Sequence, residues 1–203
     1  MKQSATDIRL IIGILLAHIL LFLTFNDRSI FWYIYTATSL LLISYSIVSD
    51  KSHDEQSNGK YLFLGILSGV VLYLVFWIGD WLFSLLSSYL DKQIGKTYKL
   101  LSPKYIWHYF VLVFVLAPGE EIFWRGFVQK RLMYHIQGWL PVLITAILNA
   151  SIFIYSENII LIIAALVGGI FWGSLYLWRK NIPLLVVSHV IFDLLLIIVL
   201  PLH

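Results

Sequence analysis

Long apolar runs alternate with short polar joints along this chain. Seven runs are long enough, or nearly so, to cross a hydrocarbon layer of about 30 Å, which takes about 20 helical residues. They are Leu10–Phe25, Ile30–Val48, Tyr61–Ile78, Tyr105–Val128, Trp139–Tyr155, Ile159–Leu177 and Ile182–Leu200. The joints are Asn26–Arg28, Ser49–Lys60, Asp91–Lys104 and Gln129–Gly138, and Trp81–Leu90 reads as an interfacial amphipathic helix or as an extension of the third run. Backbone in lipid is satisfied only in helices or closed barrels. The pattern therefore predicts an all-α, polytopic transmembrane helix bundle of about seven spans, within a range of six to eight. No repeat, low-complexity tract or second domain interrupts it, so one integrated bundle is expected.

Composition supports the same class. The chain is 60% hydrophobic and 12% charged, against about 45–50% and about 25% in ordinary soluble proteins; its mean hydropathy is +0.87. Eight Trp, twelve Tyr and thirteen Phe suit two membrane–water interfaces. Without cysteine, disulfides, thiolate ligands and a cysteine nucleophile are excluded. The net charge of +3 is small and its basic residues sit in joints, which points to the lipid bilayer rather than nucleic acid as partner.

Orientation follows from Lys and Arg. Lys2, Arg9, Lys51, Lys60, Lys130, Arg131, Arg179 and Lys180 fall on the amino-terminal side, and Arg28, Lys92, Lys96, Lys99 and Lys104 on the other. This predicts a cytoplasmic amino terminus; a crossing by Trp81–Leu90 would reverse the first half. Lys2 and Arg9 flank the first run as in a signal peptide, but no small-residue cleavage site follows, so a retained helix is expected. Short loops and the lack of a targeting tail suggest a bacterial plasma membrane. Oligomeric state leaves no signal.

Within the seven runs the charged residues are Glu120, Glu121, Arg125 and Asp193. A charge at mid-membrane costs at least about 2.5–3.5 kcal/mol, so it is kept for function or for buried pairing. Glu121 and Arg125 are four apart and share a helix face; a structural salt bridge is as good a reading as a functional one. Glu120 is turned about 100° away, free to take a proton or hold a water. Pro118-Gly119 just upstream would loosen the helix. His189 and Asp193 repeat the four-residue spacing, so the carboxylate could orient the imidazole. That pair could polarise a carbonyl, share a metal or satisfy itself in the core. His18 and His108 lack such neighbours and read as core or interfacial histidines.

Glu120-Glu121-Ile122-Phe123-Trp124-Arg125-Gly126, followed in the last run by His189-Val190-Ile191-Phe192-Asp193, resembles the CAAX-protease and bacteriocin-processing (CPBP) family of intramembrane endopeptidases. The resemblance covers about Tyr105–Leu200, dividing the chain into residues 1–104 without a motif and a four-span core at 105–203. It implies peptide-bond hydrolysis in a membrane cavity, on a prenylated, leader or bacteriocin-related substrate. Glu120 would activate water, Glu121 and Arg125 would hold the helix in register, and His189 and Asp193 would handle the scissile carbonyl. It leaves open whether a divalent metal such as zinc takes part.

One position departs from the family pattern. Where Phe-x-x-x-His is expected, the chain reads Phe153-Ile154-Tyr155-Ser156-Glu157. With Gln137-Gly138 as the turn of a hairpin, Glu157 comes level with Glu120, though a dipping loop at Ser156–Asn158 is then needed. A second carboxylate there could share a proton with Glu120, could mark a member that binds without cutting and serves in immunity or as a scaffold, or could simply face water. A proton-coupled carrier ranks last, because no pair of broken helices recurs in matching halves.

Overall fold

A computed structural model describes residues 7–49 and 60–202. Lys2, Lys51 and most of the joint Ser49–Lys60 lie outside the described residues, which form eight helices. These are α1 (Ile8–Asn26), α2 (Phe31–Ser49), α3 (Lys60–Leu86), α4 (Ser88–Leu101), α5 (Ile106–His135), α6 (Leu140–Ser156), α7 (Ile159–Arg179) and α8 (Ile182–Val199). All but α4 and α6 are long and apolar enough to cross a membrane. The chain is thus an all-α polytopic bundle.

Two boundaries differ from the sequence pattern. The third helix runs on past Ile78 through Trp81 to Leu86, so the extension reading holds for that part. It also brings Asp80 into the span, a fourth intramembrane carboxylate beside Glu120, Glu121 and Asp193. Second, the joint Asp91–Lys104 is mostly helix α4. Its composition is polar but its pattern is amphipathic: Gln93 and Ile94 are buried while Lys92, Lys96 and Lys99 are exposed. Asn158, between α6 and α7, fixes α4 from the other side by donating to Gln93 O and Thr97 Oγ1 at 3.0 and 2.8 Å.

Turns form where the chain chemistry allows them. Gly138 takes φ +74° between α5 and α6, a left-handed conformation glycine adopts without a Cβ penalty. Asn158 and Asn181 cap α7 and α8, their side chains accepting from Ile160 N and Leu184 N, both at 2.9 Å.

Lipid tails are as apolar as leucine, so helix association here rests on close packing and buried polar contacts. α6 and α7 form a hairpin, and α3 lies along α8. A Cβ on Gly69 of α3 would come within 2.5 Å of Ser188 O on α8, and one on Gly169 of α7 within 2.9 Å of the Ala146 Cβ on α6. Both contacts require glycine. One buried cluster joins α1, α2, α5 and α6 around Phe31, Phe123 and Phe127; another joins α3, α7 and α8 around Leu72, Tyr176 and Leu185.

Candidate active site

The fifth helix carries Pro118 in its interior. Proline lacks the N–H and crowds the carbonyl four residues back, yet the helix continues because its turns widen to i→i+5 bonding at Leu112–Leu116 and again at Glu121–Gln129. Such widened turns recur at functional sites. Here they bracket Pro118-Gly119-Glu120.

The neighbouring carboxylates have opposite surroundings. Glu121 is fully buried. Its Oε1 accepts from Arg125 Nη1 at 3.2 Å and from His189 Nδ1 at 2.7 Å. Arg125, also fully buried, donates through Nη2 to the carbonyls of Gly168 and Gly169 on α7 at 3.3 and 3.4 Å. One turn further along the same helix, Gln129 Nε2 donates to Gly173 O at 2.8 Å. Glu121, Arg125 and Gln129 thereby fasten α5 to α7 and α8. Glu120 instead borders an internal cavity and accepts from Tyr35 Oη of α2 at 2.6 Å.

The partner that orients His189 is therefore Glu121, not Asp193 as the four-residue spacing suggested. A carboxylate can only accept, so Nδ1 carries the proton. Asp193 Oδ1 stands 3.8 Å from Nε2, beyond a hydrogen bond. The widened turn of α8 that opens at Leu194 begins just after Asp193. Trp172 stacks face-on against the imidazole, with centroids 3.9 Å apart and planes 19° apart. Its own N–H donates to Ser188 Oγ at 3.1 Å.

The cavity has a volume of about 330 Å³ and is largely apolar. Glu120, His189, Asp193 and Asn149 border it, with Asp80 and Tyr98 also on its wall. Tyr35, Trp172 and Asn149 were not anticipated as site residues. The two aromatics carried no signal among so many others. Asn149 did carry one, as a lone carboxamide inside the apolar run Trp139–Tyr155.

Glu157 is not brought to this cavity. Its side chain is exposed, because α6 tightens into a 3₁₀ turn over Ile152–Ser156 and ends with Glu157 in the left-handed conformation at φ 55°. The residues of α6 that face the cavity are Asn149 and Phe153, one helical turn apart. His18 lies between Tyr155 Oη (3.1 Å) and Ser151 Oγ (3.3 Å). His108 stacks on Trp32 and its Nδ1 accepts from Lys104 N.

Zinc sites take at least three protein ligands. Among the described residues no group of three or more His, Asp or Glu side chains is disposed to hold a metal ion. His189, the imidazole at the cavity, commits Nδ1 to Glu121 and keeps Nε2 toward the cavity side.

The family described as Rce1-like, type II CAAX prenyl endopeptidase Rce1-like, matches residues 102–195, the stretch holding Glu120, Glu121, Arg125, His189 and Asp193. No curated protein and no solved structure shows a significant match.

Proposed function

We propose, from the match of residues 102–195 to the Rce1-like family of type II CAAX prenyl endopeptidases, that this protein is an intramembrane endopeptidase using a glutamate-activated water. Its substrate would be a membrane-associated peptide, foremost a prenylated one. The carrying observation is the division of labour between neighbours: Glu121 is fully buried and its Oε1 is held by Arg125 and His189, whereas Glu120 faces the cavity. Leader and bacteriocin-related peptides are the other substrate classes of the same chemistry.

In this reading the Tyr35 hydroxyl holds Glu120 Oε1, leaving Oε2 for a water. Glu120 takes a proton as the water oxygen attacks the carbonyl carbon. In this step His189 is the imidazolium: its Nδ1–H stays on Glu121 and its Nε2–H, 3.8 Å from the Asp193 carboxylate, hydrogen-bonds the carbonyl oxygen as charge develops. The intermediate collapses with cleavage of the C–N bond. Glu120 then returns its proton to the leaving nitrogen, giving an acid and an amine. Glu121 and Arg125 act at one remove, as positioning residues for His189. The apolar remainder of the cavity suits a lipid chain.

The test is turnover of an internally quenched peptide with a farnesylated cysteine near its carboxyl end, by purified protein in vesicles. Glu120→Gln should lower kcat by about 10³-fold while the protein still inserts and melts as before. Activity retained by that variant refutes the role of Glu120. A chelator should leave the rate unchanged; loss with recovery on added zinc would bring in a divalent ion.

A second reading is a member that binds such peptides without cutting them. It draws on the single histidine at the cavity wall, His189. Binding of the probe without turnover by the unsubstituted protein would favour it.

A further inference from the structure

Asn149 has no part in the steps assigned to Glu120 and His189. It is 3% exposed, borders the cavity together with Glu120, His189 and Asp193, and its Oδ1 has no hydrogen-bond partner among the described residues. A buried carbonyl without a partner is destabilising, and native folds keep few. Thr145 and Gln129 also keep an unpartnered buried oxygen, but neither borders the cavity. Asn149 does, so its missing partner can arrive with the reactants.

The orphaned atom accepts and does not donate, so what it takes is an O–H or N–H. An attacking water has two hydrogens and must keep a lone pair aimed at carbon. One hydrogen goes to Glu120, which Tyr35 holds by its other oxygen. Without a second acceptor the water is free to rotate about that bond. His189 meets the wall as a donor in this scheme and cannot serve. Asn149 comes from α6, on a helix clamped to α7 by the close contact at Ala146 and Gly169.

We propose that Asn149 Oδ1 accepts the second hydrogen of the water that Glu120 activates, fixing its lone pair toward the scissile carbonyl. This rests on the endopeptidase reading. The hydrogen bonded to Asn149 stays on oxygen through the attack; the other passes to Glu120, so no further co-reactant is needed.

Asn149→Leu separates this role from a structural one. Leucine is nearly isosteric and removes the orphaned polar group, so the variant should melt no lower than the unsubstituted protein. It should nonetheless lose about 10²-fold in kcat on the farnesylated peptide, at a KM within about two-fold. Two binding probes make the outcome independent of turnover. One is a farnesylated peptide with a trifluoromethyl ketone at the scissile position, whose hydrate carries the added water oxygen. The other replaces that carbonyl by a methylene. Asn149→Leu should weaken the hydrate by about 10²-fold and leave the methylene analogue unchanged.

Unchanged turnover, or equal weakening of both probes, overturns the proposal. If the unsubstituted protein binds both probes without cutting the peptide, the endopeptidase reading fails. The ratio of the two affinities then still decides on Asn149: selective loss of the hydrate supports its contact with the water-derived oxygen, and an unaltered ratio overturns it. Failure to bind either probe overturns both.

Discussion

Glu120 and Glu121 are joined by one peptide bond, and a rotation of about 100° sends one to a cavity and the other into a buried ion pair. Truncating one partner of such a pair leaves an uncompensated charge, at a cost of about 3–5 kcal/mol. Arg125→Met should therefore lower stability by that order, read from unfolding in mixed micelles. Replacing Glu121 as well by Gln should recover part of the loss. Recovery would identify the stranded carboxylate, rather than lost packing, as the main cost. Tyr35 makes a different prediction. Phenylalanine keeps its packing against Phe31, 5.4 Å between centroids, and removes only the hydroxyl on Glu120. Tyr35→Phe should lower kcat by about ten-fold at constant KM; a change confined to KM would move Tyr35 from the base to the substrate.

Helix contacts set the spacing of these groups. α5 stays continuous through Pro118 by widening its turns, and its buried polar face is tied to carbonyls that α7 offers beside Gly168, Gly169 and Gly173. On the opposite wall α3 reaches α8 at Ser188 because Gly69 has no side chain, and His189 is the next residue. Gly69→Leu should separate α3 from α8 and displace His189, with loss of activity and a lower melting midpoint together. Leucine at Gly79, where nothing lies within 4 Å of a Cβ, should leave the melting midpoint unchanged and serves as the control for the fold, since Gly79 itself borders the cavity. At the amino-terminal end, Asp7 caps α1 and binds Arg131 of α5 at 2.5 Å. Partial burial pushes its carboxyl up, but Arg131 and the N–H groups of Leu10 and Arg9 outweigh that and hold it below the usual 3.8. A carboxylate with a lowered value stabilises above its unfolded pKa and loses that contribution as pH falls through the folded one. Asp7→Asn should therefore cost stability at neutral pH and little below about pH 3, as thermal melts at the two pH values would report.

At the scale of the molecule, the part without a motif is structurally continuous with the part that has one. Tyr35 comes from α2, Asp80 from α3 and Tyr98 from α4, and all three border the cavity that holds Glu120. Residues 105–203 expressed alone should insert and yet lack activity, because the Glu120 hydroxyl partner and one cavity wall are missing. Co-expression with residues 1–104 should restore turnover, and activity of the short fragment alone would refute the dependence.

The apolar runs and the i, i+4 spacings were enough to read an all-α membrane bundle and the buried pair of Glu121 with Arg125, since both depend on local helix geometry and the cost of charge in lipid. Partners across helices were beyond that reach. His189 and Asp193 are neighbours on one helix, yet the hydrogen bond that orients the imidazole comes from Glu121 on another. Glu157 sits at a plausible count of residues from Glu120, yet a left-handed cap turns it outward and leaves Asn149 at the cavity. Spacing along a chain fixes which side chains share a face. Only packing against the other helices decides what that face meets.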